Sequence, residues 1–162
     1  MRKLEELIDV DIFGKCGSSR CTSRECNDMF NSTYKFYLSF ENSICPDYVT
    51  EKLFKILDYN IIPVVLNGAN MADFLPPKSY IDANSFESVN ELADYLKYLS
   101  NNTEEYMKYF WWKEHYKPWK GRVNLCKICE KINDENVLSK GTTVENFSHF
   151  HSAYKCKKPK IK

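Results

Sequence analysis

The apolar and polar positions change period several times along the chain. Ile8 to Phe13, "IDVDIF", reads as a short buried strand closed by Gly14. Residues 14 to 33 hold Ser and Cys with little periodicity and predict a loop. "YKFYLSF", Tyr34 to Phe40, is an aromatic-rich strand. A helix is expected from about Asp47 to Tyr59, with Asp47 as N-cap after Pro46. "IIPVVL", Ile61 to Leu66, is a β-branched run ended by Asn67-Gly68, the pattern of a strand buried on both faces. "SYIDA" adds a short strand, and helices are expected over about Val89 to Leu99 and Glu104 to Trp112. The tail after Pro118 is less regular. Strands alternating with helices predict an α/β fold: a single Rossmann-like domain built on parallel βαβ units, with no internal repeat.

One junction in this pattern is unusual. On a helical wheel, Val49, Leu53, Ile56 and Leu57 share one side, while Tyr48, Glu51, Lys52 and Lys55 share the other. Ordinarily such a polar side is a solvated helix face. Here it starts at the C-terminal end of a strand, where open α/β sheets bind ligands. A helix N-terminus favours an anion, and Lys52 stands where the macrodipole does not favour a cation, so a bound phosphate would resolve the mismatch. The stretch "FENSICPDY" lacks the Gly-rich loops of dinucleotide and ATP sites. What remains is a nucleotide diphosphate held by side chains, with Asn42, Tyr48, Glu51 and Lys52 as the candidates.

Charge narrows the partners. With 23 basic and 22 acidic residues the chain carries no global field that points to nucleic acid or a membrane surface. Aromatic residues make up 15% of the chain, which suits stacking or sugar-contacting surfaces. No apolar stretch has the length of a signal peptide or membrane span.

The seven cysteines point to an oxidising compartment. Cys16, Cys21 and Cys26 form one cluster and Cys126 and Cys129 a second, leaving Cys45 and Cys156 apart. The five-residue spacing of the first cluster is wider than zinc ligands use, and no histidine pair accompanies it, so disulfides are favoured over metal. Cys16 with Cys21 or Cys26 would close locally. An odd count leaves a free thiol, and Cys45 is the expected one. Three glycosylation sequons, at Asn31, Asn101 and Asn146, agree with that compartment.

The blocks "YKFYLSFENSICPDYVTEKLF", "IIPVVLNGA", "PKSYIDANSF", "ELADYLKYL" and "YMKYFWWK" together closely resemble the α1,3-fucosyltransferases of glycosyltransferase family 10. The resemblance runs from "DVDIFGKCG" to "CKIC", and Cys16, Cys21 and Cys45 are similar to the arthropod-type enzymes that fucosylate the N-glycan core. It implies the C-terminal half of a GT-B enzyme: a GDP-fucose-binding Rossmann-like domain over residues 1–120 and a cysteine-containing tail over 121–162. By the same resemblance Lys52 pairs with the diphosphate and Glu51 accepts from the ribose hydroxyls. Asn42 and Tyr48 face the pyrophosphate and fucose, with Ser43, Thr50 and Gly68 as weaker donor-site candidates. Transfer is inverting and needs no metal or other cofactor. The acceptor is an N-glycan, and the setting is the Golgi lumen. The general base belongs to an N-terminal acceptor domain, which is expected to be missing here along with stem and anchor, so no catalytic residue is assigned and the isolated chain is expected to be inactive. The Cys126/Cys129 pair, whose family partners lie in that domain, should be free or locally bonded. The family's phosphate-binding arginine has only Arg2 as a nearby counterpart, and the spacing between Lys52 and Pro63 is one residue short. Two rivals stand beside this: a non-catalytic sugar-binding module that kept the fold, and a small zinc protein using Cys126, Cys129 and an upstream pair.

Overall fold

The computed structural model describes residues 2–14, 17, 19–118, 125–140 and 156–158. Two compact units divide the chain, Met1–Tyr116 with Cys156–Lys162, and Lys117–Lys155.

The first unit opens with a one-turn helix, α1 (Arg2–Glu5), which buries Leu4. Ile8 to Ile12 form no strand; only Phe13 makes a lone bridge, to Ser19. The segment spends its apolar residues elsewhere, Ile8 and Val10 packing against Leu4, Val89 and Ala93. The expected loop that follows contains a helix, α2 (Ser23–Ser32). Thr22 accepts the amide of Glu25, and the Glu25 carboxylate accepts the Thr22 amide at 2.7 Å. That reciprocal capping box starts the helix despite its poor periodicity.

Three strands follow the sequence pattern: β1 (Phe36–Phe40), β2 (Ile62–Leu66) and β3 (Ile81–Asp82). They pair in parallel in the order β1-β2-β3, with Phe36 opposite Ile62, Phe40 opposite Leu66, and Val64 opposite Ile81. Between β1 and β2 lies α3 (Glu51–Phe54), a single turn where thirteen helical residues were expected. All five residues of β2 are buried, because both faces of the sheet are covered. Alternation sends Ile62, Val64 and Leu66 to a core shared with Leu92, Leu96 and Leu99 of α4 (Val89–Asn101). It sends Val65 to the other side, onto Leu53, Leu57, Met71, Leu75 and Trp112. Ser88 caps α4 by accepting the amide of Glu91. The last expected helix of this unit is α5 (Thr103–Met107), which tightens into a 3₁₀ segment over Lys108–Glu114. This parallel sheet between helical layers is an α/β fold.

The second unit holds α6 (Leu125–Ile132) and α7 (Glu135–Ser139), helices where an irregular tail was expected. Asp134 caps α7 through the amide of Asn136 at 2.9 Å. Among the described residues no helix is long and apolar enough to cross a membrane, and no group of three or more His, Cys, Asp or Glu gathers as a metal site would require.

Candidate functional site

Parallel strands end at one edge of the sheet, so the segments after Phe40 and Leu66 leave it side by side. The amide of Glu41 donates to Leu66 O at 3.1 Å, which ties the two exits together. Gly68 then passes against Cys45: a Cβ at Gly68 would meet the Cys45 carbonyl oxygen at 2.6 Å.

The chain turns at Cys45-Pro46-Asp47-Tyr48. Tyr48 N donates to Cys45 O at 3.4 Å, and Asp47 adopts φ +58°. Proline second and a left-handed residue third is the chemistry of a type II turn. Asp47 therefore shapes a turn and is no helix cap. Thr50 stands at the N-cap position of α3, yet it makes no capping bond. Its hydroxyl is used differently: Thr50 Oγ1 donates to Glu41 Oε1 at 2.8 Å and Oε2 at 3.0 Å, and Thr50 N donates to Oε1 at 2.8 Å. With one turn of helix, α3 offers no appreciable dipole for an anion, and that part of the expectation falls.

Lys52 turns back toward the strand end. Its ammonium donates to Phe40 O at 3.1 Å, Asn42 Oδ1 at 3.2 Å and Glu41 Oε2 at 3.4 Å. Its side chain stays 29% exposed, so one side of the cation remains open. The helical wheel holds in outline: Leu53, Ile56 and Leu57 are buried, while Glu51 and Lys55 are exposed. Tyr48 is 38% exposed. Neither the Tyr48 hydroxyl nor the Glu51 carboxylate has a hydrogen-bond partner among the described residues.

Of the candidate residues, Asn42 and Lys52 are thus brought into contact, and Tyr48 and Glu51 lie exposed on the same short stretch. Thr50 serves an internal network, Ser43 is half-buried, and Gly68 acts through its backbone. Glu41 was missed. It is 2% exposed and holds the network together. An acid directly after an aromatic-rich strand, followed nine residues later by Thr, carried the available signal.

A cavity of about 1100 Å³ lies elsewhere in the unit, along the free edge of β1, between the Ile8–Gly14 segment and Phe30, Tyr34 and Tyr37. None of Asn42, Tyr48, Glu51 or Lys52 lines it.

The cysteine framework differs from expectation at two points: the local bond joins Cys21 to Cys26 where Cys16 was expected to be one of the pair, and Cys45 is not free. Cys21 and Cys26 form a local disulfide. Cys45, expected to be free, is bonded to Cys156 across 111 residues. The chain around it explains the pairing: Ile44 and Lys157 form an antiparallel bridge, with Ile44 N to Lys157 O at 2.8 Å and Lys157 N to Ile44 O at 2.9 Å. Cys126 and Cys129 are free and exposed on α6. Cys16 lies outside the described residues, as does the sequon at Asn146. Asn101 is exposed at the end of α4, and Asn31 is exposed near the end of α2, its Oδ1 accepting from Asn60 N at 3.1 Å.

The family model described as glycosyltransferase family 10 (fucosyltransferase) C-term matches residues 1–149. Alpha-(1,3)-fucosyltransferase C of Drosophila melanogaster is 46% identical over 134 residues, covering 82% of this chain and 31% of that protein. Alpha-(1,3)-fucosyltransferase fut-1 of Caenorhabditis elegans is 47% identical over 146 residues, covering 80% of this chain and 33% of that protein. Glycoprotein 3-alpha-L-fucosyltransferase A of Drosophila melanogaster is 39% identical, covering 85% of this chain and 28% of that protein. The chain thus spans about a third of the length of the curated relatives it matches.

Proposed function

This chain belongs to glycosyltransferase family 10, the fucosyltransferases, and we propose that it supplies the donor-binding region of an α1,3-fucosyltransferase. The observation that carries this is the Lys52 ammonium, fixed at the exit edge of a parallel sheet with one side open, beside exposed Tyr48 and Glu51. The donor is GDP-fucose. Lys52 offsets the charge that grows on the diphosphate as the bond to fucose breaks, a task metal ions perform in other transferases, so no cofactor is needed. Glu51, whose carboxylate has no partner among the described residues, accepts from the ribose hydroxyls. Asn42 and Tyr48 face the pyrophosphate and the sugar, with Ser43, Thr50 and Gly68 shaping the turn around them. The fold is the Rossmann-like half of a GT-B enzyme. The acceptor is a GlcNAc hydroxyl of a glycoprotein N-glycan in the Golgi lumen, attacked with inversion, its proton taken by a carboxylate from outside this region.

Calorimetric titration with GDP tests this. Lys52→Ala removes a charge-assisted phosphate contact and should weaken binding by about 1.5–3 kcal/mol, roughly one to two decades in affinity. An unchanged affinity would show that the diphosphate is held elsewhere or not at all.

A further inference from the structure

We propose that Glu41 is the positioning residue of this site, a buried carboxylate that sets where the Lys52 ammonium stands; the inference rests on the donor-binding role proposed above. Glu41 is 2% exposed, and a carboxylate survives such burial only when its oxygens are satisfied. Both are. Oε1 takes the amide and hydroxyl of Thr50, each at 2.8 Å. Oε2 shares that single hydroxyl proton, at 3.0 Å, and takes the Lys52 ammonium at 3.4 Å. The Glu41 amide is bonded to Leu66 O, so the carboxylate stands on the sheet itself.

The residues that Glu41 grips, Thr50 and Lys52, are the two neighbours of Glu51. One side chain therefore holds the backbone just before the proposed ribose ligand, at Thr50, and the direction of the proposed phosphate ligand, the Lys52 ammonium. Packing does not require an acid here. A buried ion pair is commonly no better for stability than an apolar pair of the same volume, whereas it does specify where a charge sits. Phe40 O, Asn42 Oδ1 and Glu41 Oε2 stand 3.1, 3.2 and 3.4 Å from the ammonium, so the cation is aimed before any ligand arrives and meets a phosphate as a charge or by exchanging one of these contacts. Preorganisation of this kind is what electrostatic stabilisation of a leaving group needs.

The two oxygens allow a clean test in the full chain. Glu41→Gln keeps a carbonyl for the Thr50 amide and hydroxyl but sets an NH₂ group against the Lys52 ammonium, donor facing donor. Affinities for GDP and GMP are measured by calorimetry for the unaltered chain and for K52A, E41Q and E41D. A general loss of stability weakens both nucleotides alike and leaves their ratio intact. Mispositioning of Lys52 lowers the GDP-over-GMP ratio. In E41Q that ratio should fall by about tenfold, and in E41D, which keeps the charge one methylene further back, by less. If K52A abolishes the preference for GDP while E41Q keeps it, Glu41 positions nothing and the donor-binding role stands. If K52A leaves the preference unchanged, the donor-binding role is wrong, and the rate at which an acylating reagent modifies Lys52, read by mass spectrometry, decides on Glu41. A several-fold faster reaction in E41Q supports the hold on the ammonium, and an equal rate overturns it.

Discussion

The carbonyl oxygen of Cys45 lies 2.6 Å from the point where a side-chain carbon on Gly68 would stand, and the Cys45 carbonyl carbon lies 2.8 Å from it. The segments leaving β1 and β2 touch through their backbones at this spot. Only a residue without a side chain permits that approach.

Gly68→Ala must therefore push the two segments apart. Overpacking against backbone should cost about 1–3 kcal/mol of stability, read from the midpoint of urea unfolding, and should weaken GDP binding in the same variant. Unchanged stability would mean that the Cys45 turn is free to move aside.

The disulfide beneath that turn should matter more than the local one. Closing a 111-residue separation removes far more freedom from the unfolded chain than closing one of 5 residues. Cys156→Ser should lower stability by roughly 2–4 kcal/mol in non-reducing buffer, and Cys21→Ser by less. The reverse order in denaturant unfolding would contradict this.

Ser39 gives a prediction of opposite sign. It is 2% exposed on β1, and its hydroxyl has no hydrogen-bond partner among the described residues. Ser39→Ala removes an unsatisfied buried group without removing volume that the core needs. Stability should rise by roughly 0.5–1 kcal/mol; a clear loss would reveal a partner for the hydroxyl.

Alkaline pH should unfold the chain through Tyr106. Its hydroxyl donates to Lys35 O at 2.9 Å and Asn60 O at 3.2 Å, and burial raises it from 10.0 to about 12. The unfolded chain releases this proton near the ordinary tyrosine value while the folded chain holds it. Stability should thus be flat below about pH 10 and decline as pH rises toward about 12. Tyr109 acts in the same direction, raised by burial and by its hydroxyl contact with Tyr95 at 2.7 Å. Urea midpoints across that range should fall less steeply for Tyr106→Phe than for the unaltered chain.

What could be read from the sequence followed burial. The Ile61–Leu66 run became β2 because no other element buries a continuous β-branched stretch so well, and Val89–Leu99 became α4 because Val89, Leu92, Ala93, Leu96 and Leu99 recur at helical spacing and are all buried. Ile8–Phe13 met the strand pattern yet found no strand to pair with, since its apolar residues serve the Leu4 cluster. α2 was legible in principle: Thr22 and Glu25 stand at capping-box spacing, but the Ser- and Cys-rich composition around them drew attention away. At the site, exposure of Glu51 and burial of Leu53 followed from helical spacing; Tyr48 is exposed but stands in the turn before the helix, and Glu41 was not legible, because a buried acid looks like any polar residue until its donors are placed. Asp47 was misjudged since Pro-Asp serves a turn as readily as a helix start. The Cys45–Cys156 pairing depends on Ile44 meeting Lys157 across the fold, and cysteine spacing carries no such information.

That last pairing imposes an order on biosynthesis. Cys21 and Cys26 emerge close together and can close at once. Cys45 must wait for Cys156, 111 residues later, on the order of ten seconds at ordinary rates of translation. During that interval Cys126 and Cys129, which remain unpaired in the finished fold, emerge first and offer two wrong partners. The turn beside Lys52 is thus completed only after the rest of its unit has been made. Thiol–disulfide exchange, by releasing mispaired Cys45, decides how much of the chain acquires a finished turn.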